Sequence, residues 1–382
     1  MEIKASRPID AVVAGYLGVD IAPGFLKLES ATFAELFRPG RLIETEGLHF
    51  SLGGVVANTG LAMRRFGQNV ALMGCVGNDM LGDMAVAQFA HAGVSSGIRR
   101  TNLAGTAYGI VIAPPGMDRI FLEDPGCNRV FNADDIDFDI VGQSRLFHFG
   151  YPPLMEVLWA NGGVKLKELL ERVRWQGTVV SLDMALPDPS AKAGKADWRK
   201  ILSAVLPLVD IFVPSIEELL FMLDPQAYSR IAALAAGGDM IDAIPAEEYR
   251  MISEKTLAMG VKVLLVKAGH KGAYLRTGDM AGLDSSTLRL SDRIGCPRGT
   301  WIHPLPVESG RFCNASGAGD CAVAGFLTAL LKDENILGAG QYAMMAGRDN
   351  LYGQDALSGL MGWEHMSKSL KDKIKMERAI VK

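Results

Sequence analysis

The run Asn314-Ala315-Ser316-Gly317-Ala318-Gly319-Asp320 leads directly into an apolar segment, residues 321–331. Small residues at 315–319 let the backbone turn tightly and aim several N–H groups at one point, and a helix starting there adds its positive N-terminal end. That combination suits a phosphate group. Those amides would stabilise charge on a transferring phosphoryl. Asp320, in the first turn, would accept the proton of an attacking hydroxyl. A hydroxyl is a poor nucleophile until that proton has a destination. The plainer reading is a tight turn whose aspartate stabilises a helix N-terminus.

A second glycine-rich turn shifts the balance. Gly53-Gly54-Val55-Val56-Ala57-Asn58 also runs straight into a helical pattern. Paired glycines allow close approach of a ligand to the backbone, and Asn58 offers donors and an acceptor to a polyhydroxylated molecule. Asp20 falls at the end of the first predicted strand, at the carboxyl edge where α/β proteins bind ligands. Taken singly, these are an ordinary strand-to-helix turn and a loop aspartate.

The elements that must position these residues alternate between short apolar runs and longer helical patterns, which argues for βαβ units around a parallel sheet. Strands are expected at 11–19, 70–75, 146–149, 179–182, 211–213 and 263–266. Helices are expected at 57–66, 80–92, 164–174, 198–206, 246–259 and 321–331. The pattern predicts one doubly wound α/β domain spanning 1–382. Residues 41–52 and 106–124 read instead as extended, the latter broken by a hairpin-like Pro114-Pro115-Gly116, and fit a small accessory sheet. Residues 224–245 and 278–310 read as insertions, and the Lys-rich tail from Met366 as a solvated helix face.

Composition narrows the function classes. The 382 residues are 49% hydrophobic and 21% charged, with 39 Lys plus Arg against 43 Asp plus Glu and a net charge of −4. That disfavours extended disorder and a nucleic-acid binder, which would carry a basic stripe. The chain is long enough to bury a large core without disulfide staples. No apolar run approaches the roughly 20 residues of a membrane span. The five cysteines form no CxxC pair and fit reduced thiols in a cytoplasmic protein. The six histidines lack HxxxH or HExxH spacing, so no zinc site is expected. Gly317 to Ala322 fits G-x-G-x-x-A, but a dinucleotide site needs a following strand with an acidic end, and residues 335–347 show none. Gly93-Val94-Ser95-Ser96-Gly97 matches a nucleophile elbow in letters only, because it follows a helix rather than a strand.

The pairing of GGVVAN with NASGAGD resembles the ribokinase-like sugar kinases of the phosphofructokinase-B type. Further matches stand in order: Gly15 and Asp20 in the first strand, Pro125-Gly126-Cys127-Asn128, Ser215-Ile216-Glu217-Glu218, and Lys267-Ala268-Gly269-His270-Lys271-Gly272. The resemblance covers roughly residues 10–360. It implies a doubly wound, mostly parallel α/β sheet flanked by helices, with a small β-sheet lid from parts of 16–52 and 104–126. Asp320 would be the catalytic base and Gly317, Ala318 and Gly319 the anion hole. Asp20, Gly53, Gly54, Asn58 and Asn128 would hold substrate. Ser215, Lys267, Gly269 and Gly272 would lie along ATP, and Glu218 would orient the water shell of its Mg²⁺. Lid sheets in this family often pair into dimers.

Departures from the family pattern carry information too. Asn314-Ala315 stands where many relatives have Asp-Thr, and the missing charge leaves activation by K⁺ open. Ser215 replaces an asparagine. Val55 replaces a lysine of ribokinase itself, and Gly150, beside Tyr151, falls near a sugar-contacting glutamate, so a substrate other than ribose is expected. The reading is an ATP- and Mg²⁺-dependent carbohydrate kinase. Its acceptor is a free hexose or other sugar first, a nucleoside second and a sugar phosphate third, the last having Arg129 as its one candidate anchor. A non-catalytic sugar or nucleotide sensor is the rival class, against which Asp320 argues. Neither a nucleic acid nor a membrane is an expected partner.

Overall fold

The computed structural model describes residues 7–26, 32–114, 120–280, 287–288, 290 and 298–380. In chain order its strands are β1 Ile9–Gly15, β2 Gly18–Phe25, β3 Thr45–Gly53, β4 Val70–Gly77, β5 Ile98–Thr101, β6 Tyr108–Ile112 and β7 Ile120–Asp124. They continue as β8 Ser144–Gly150, β9 Val179–Leu182, β10 Ile211–Phe212, β11 Val263–Lys267, β12 Ala273–Thr277 and β13 Thr300–Ile302. Nine of them form one sheet in the order β13-β12-β11-β10-β9-β8-β1-β4-β5. It is parallel from β11 through β5 and antiparallel only at β11–β12–β13. The central strands are apolar and buried along nearly their whole length, as strands covered on both faces must be. The other four strands make a small separate sheet, β3-β2-β6-β7.

The strands expected at 70–75, 146–149, 179–182, 211–213 and 263–266 are present with ends shifted by at most two residues. The stretch 11–19, expected as one strand, is two. Gly15 takes φ +126°, and a Cβ there would lie 2.4 Å from the Gly150 carbonyl oxygen, so β1 ends pressed against β8. The chain turns at Tyr16-Leu17 and re-enters pairing as β2 of the small sheet. Asp20 therefore sits on β2, opposite Ser51 and Gly109, and not at the carboxyl end of a main-sheet strand.

The helix Glu156–Trp175 starts earlier than its periodicity indicated, but residues 160–163 leave helical geometry and only the later part is regular. Residues 224–245 contain the helices Pro225–Ala235 and Met240–Ala243. In 278–310, β13 is described, while 281–286, 289 and 291–297 lie outside the described residues, as does Pro115-Gly116 between β6 and β7. Gly93 takes φ +72° after the helix Met80–His91, and a 3₁₀ turn leads into β5, so the GxSxG letters form no elbow. The helix Ala318–Leu331 is followed by another helix, Ile336–Asn350, which leaves the dinucleotide reading without its strand. From Cys321 to Leu331 every residue is buried, as an element apolar all round should be. The tail helix Trp363–Ile380 packs through Met366 and Leu370, and Trp363 stacks on Tyr342 at 4.3 Å. Among the described residues, Cys75, Cys127, Cys313 and Cys321 are free thiols, and no helix is long and apolar enough to cross a membrane.

Candidate active site

Two hollows meet at the turn before the helix Ala318–Leu331. One, of about 410 Å³, lies between that turn and the small sheet and is lined by Tyr16, Asp20, Gly53, Asn58, Glu123 and Tyr151, among others. The other, of about 520 Å³, lies on the far side, walled by Pro304, Leu305, Val307, Phe312, Met344 and Leu351. Gly317 and Asp320 face the first, and Ala318 and Gly319 the second. A four-residue turn thus forms the partition.

Long-range polar contacts hold that turn in place. Gly317 caps the helix with φ +74°, where a Cβ would meet the Ala356 methyl at 2.6 Å. The Asn314 carboxamide oxygen accepts from Ser316 N–H at 2.7 Å, while its nitrogen donates to the carbonyls of Gly353 and Gln354 at 2.9 and 2.8 Å. Asn350 ties Ser316 and Ala356 together from behind. The amides of a helix's first turn have no intrahelical acceptor. Here Ala318 N–H reaches Ala315 O at 3.3 Å, so this member of the expected anion hole is partly engaged inside the turn.

Asp320 is 4% exposed and held on both carboxylate oxygens. Asn58 donates to Oδ2 at 2.9 Å, and the Tyr151 hydroxyl donates to Oδ1 at 2.6 Å. Thr59, wholly buried, adds a long contact at 3.4 Å. Asn58 comes from the helix Val55–Arg65, which Gly54 starts at φ +82°, with no room for a side chain against the Tyr16 carbonyl 2.6 Å away. Burial and the neighbouring Asp320 hold the Tyr151 phenol well above its usual range, so it remains a donor.

The small sheet presents a row, Ser51–Asp20–Gly109–Glu123, in register across β3, β2, β6 and β7. All four line the first cavity. The Asp20 carboxylate lies 2.7 Å from where a Cβ on Gly53 would be and 3.1 Å from one on Gly109, so both glycines keep space for it. Burial first, then the charges of Glu123 and Asp320, push Asp20 up to about 6. Loss of water around Glu123 pushes it up as well, against a hydrogen bond from Tyr16.

On the second hollow, Lys267 at the end of β11 donates to both oxygens of Asp183 at 2.7 Å. Its ammonium would lie 3.9 Å from a Cβ on Gly319, just beneath the turn. Burial alone would pull Lys267 down, but Asp183, Glu218 and Asp320 together hold it up and charged. Gly272 takes φ +95° against the Ile302 carbonyl, and Gly269 φ +52°; both line this hollow.

Not every expected residue arrives at the site. Asn128 is fully buried and clasps the crossing between the sheets, accepting from Leu17 N–H at 3.1 Å and donating to Leu17 O and Pro125 O at 2.8 and 3.0 Å. Its donors and acceptor are therefore occupied by backbone, and it lines neither hollow. Ser215 and Glu218 cap their own helix reciprocally: Ser215 N–H donates to the Glu218 carboxylate at 2.7 Å, and Glu218 N–H to the Ser215 hydroxyl at 3.2 Å. Arg129 pairs with Asp124 on the surface. Among the described residues no group of three or more His, Cys, Asp or Glu is arranged to hold a metal ion. At the level of sequence, Tyr151 stands out only as the neighbour of Gly150, and Thr59, Glu123, Asp183 and Asn350 carry no expected role. Tyr151 and Asp183 each follow the last residue of a parallel strand, and the carboxyl-edge rule applied to β8 and β9 would have found both.

A family model described as pfkB family carbohydrate kinase matches residues 27–348. A sugar kinase from Archaeoglobus fulgidus, itself described as uncharacterized, is 27% identical over 278 residues, covering 72% of this chain and 88% of the relative. Probable fructokinase-4 of Arabidopsis thaliana is 24% identical over 302 residues, 78% of each chain. Among solved structures, Arabidopsis thaliana ribokinase complexed with ribose and ATP superposes with a TM-score of 0.67 at 17% identity, covering 95% of this chain and 99% of the other. That likeness extends the shared ribokinase-like fold to nearly the whole chain.

Proposed function

The chain belongs to the pfkB family of carbohydrate kinases, and from that premise we propose that it transfers the γ-phosphoryl group of ATP to a hydroxyl of a free, uncharged sugar, with Asp320 as base. What carries the reading is the position of Asp320 in the partition between the two hollows, with its carboxylate turned toward the polar one. A carboxylate offers about four acceptor directions, so an acceptor hydroxyl can be received beside the two donors already present. In the step, the acceptor O–H gives its proton to Asp320, its oxygen bonds to the γ-phosphorus, and the bond from that phosphorus to the β–γ bridging oxygen breaks, releasing ADP. The Gly317–Gly319 turn would stabilise charge on the moving phosphoryl.

The apolar hollow suits a nucleotide base and ribose, with Gly269 and Gly272 along one wall and Lys267 at the phosphate end. Mg²⁺ would enter on the triphosphate, because the described residues offer no ready-made metal cage. Glu218 and Asp183, the carboxylates around Lys267, suit its water shell. Ser215, occupied by its capping box, would act by holding Glu218 in place.

The first cavity favours an uncharged acceptor. Its described lining carries Asp20, Glu123, Asp320 and Asp355 and no lysine or arginine. A sugar phosphate would meet carboxylates at every side, whereas sugar hydroxyls would donate to them. The fructokinase relative supports a hexose as the first candidate. ADP release measured against free sugars, nucleosides and sugar phosphates tests this. We expect turnover that requires a free sugar; turnover with sugar phosphates alone, or sugar binding without any turnover, would overturn it.

A further inference from the structure

Tyr151 sits at a strained point of the backbone. It takes φ 67° and ψ 39°, the left-handed region, immediately before Pro152. Both facts disfavour a tyrosine: side chains other than glycine avoid that region, and a residue preceding proline is driven toward extended geometry. A non-glycine residue held in such a conformation persists only where its surroundings over-determine it, and such positions cluster at functional sites. The phenol explains why the position is not glycine. Its hydroxyl is hydrogen-bonded to Asp320 Oδ1 at 2.6 Å, and its ring lies 6.1 Å from that of Tyr16 across the cavity wall.

We propose that Tyr151 is a positioning residue that fixes the carboxylate plane of Asp320 so that its free acceptor directions meet the acceptor hydroxyl. The assignment rests on the kinase reading above. Asn58 holds Oδ2, so with Tyr151 on Oδ1 the carboxylate cannot rotate, and the remaining acceptor directions point at a defined place. The phenol itself remains protonated through burial and the charge of Asp320, so it donates and does not compete as a base. Other charged or titratable groups acting on Asp320 are Lys267 from β11, Asp183 after β9, Asp20 from the small sheet and Cys321 on its own helix, while Glu218 acts on Tyr151. Removing only the hydroxyl leaves all of these in place.

The test is Tyr151→Phe, which retains the ring. Turnover should fall about tenfold or more, the loss of one hydrogen bond to a charged acceptor, with KM for ATP and sugar and the melting temperature nearly unchanged. A ring-fluorinated tyrosine at 151, which keeps the ring and the donor, should retain most of the parent's turnover. Turnover equal to the parent's in Tyr151→Phe would overturn the assignment, as would lost turnover accompanied by a raised KM for both substrates and a lowered melting temperature, the mark of a purely structural role. If the unaltered protein phosphorylates no acceptor, the kinase reading fails; if it does and Tyr151→Phe matches it, the assignment alone fails.

Discussion

The two hollows share one wall and differ in nearly everything else. The cavity under the small sheet is lined by carboxylates, carboxamides and phenols; burial pushes Asp20 and Glu123 up, and neighbouring carboxylates add to the shift of Asp20. The cleft on the other side is mostly aliphatic and aromatic, with the Lys267 ammonium beside the turn. A polar cavity whose described lining carries carboxylates and no lysine or arginine suits hydroxyl donors. An apolar cleft suits a flat ring, with Lys267 and the turn amides left for charge. On the proposed reading binding and chemistry are therefore divided: each hollow would take its own ligand, and only the partition touches both.

The sharpest way to break that division is at the partition. Asp320→Asn should lower turnover by about 100-fold or more, the usual range for removing a general base, while leaving nucleotide binding and melting temperature nearly as they were. Unchanged turnover in this variant would remove Asp320 from the mechanism.

Next in size is the Lys267–Asp183 pair. Lys267→Met strands a wholly buried carboxylate and should cost about 3–5 kcal/mol of stability, along with ATP affinity, without altering sugar binding to the folded protein. Adding Asp183→Asn should restore much of the melting temperature but not the ATP affinity. Equal loss of sugar affinity, measured by calorimetry, would mean that the two hollows are not independent.

Asp20→Asn probes the other side. The acceptor KM should rise about tenfold, roughly the contribution of one hydrogen bond to a charged acceptor, with KM for ATP unaffected. The pH dependence has a definite sign. Asp20 titrates at about 6 in the folded chain against 3.8 ordinarily, so between those values the folded state holds a proton that the unfolded state releases. Its contribution to stability therefore falls as pH rises through that window. Asp20→Asn should melt higher than the parent at pH 8, and the gain should vanish at pH 4 and below. A gain that persists unchanged at pH 4 would show that the carboxylate is not held up by its surroundings.

The smallest effect concerns K⁺. The Asn314 carboxamide donates to the carbonyls of Gly353 and Gln354, occupying two oxygens beside the turn that could otherwise face a cation. Exchanging K⁺ for Na⁺ in the assay should leave turnover unchanged, and a clear acceleration by K⁺ would show that the amide yields its place.

Much of this was legible beforehand, and the residues show why. The main-sheet strands announce themselves as short apolar runs, and Gly54 and Gly317 mark turns because their backbone angles leave little choice of residue. Neighbours in sequence decide such features. Ser215-x-x-Glu218 reads in the same way as a helix cap, which the structure shows, and the family resemblance adds a nucleotide role to the same pair. Asn128 reads as a ligand-binding asparagine until the crossing of Leu17 between the two sheets shows what it holds. Asp20 looked like the end of a core strand because nothing local distinguishes β1 from β2 except Gly15.

By itself, the sequence determined the α/β alternation, the two glycine turns and Asp320 at the start of its helix. These depend on hydrophobic period, backbone freedom and groups only a few positions apart. The tertiary structure decided the partners. Tyr151 meets Asp320 across 169 residues, Asn58 meets it across 262, and Lys267 meets Asp183 across 84. Such pairs arise from strand order in the large sheet and from how the helices pack on it, so the packing of the whole chain, and no local pattern, selects which polar groups face each other.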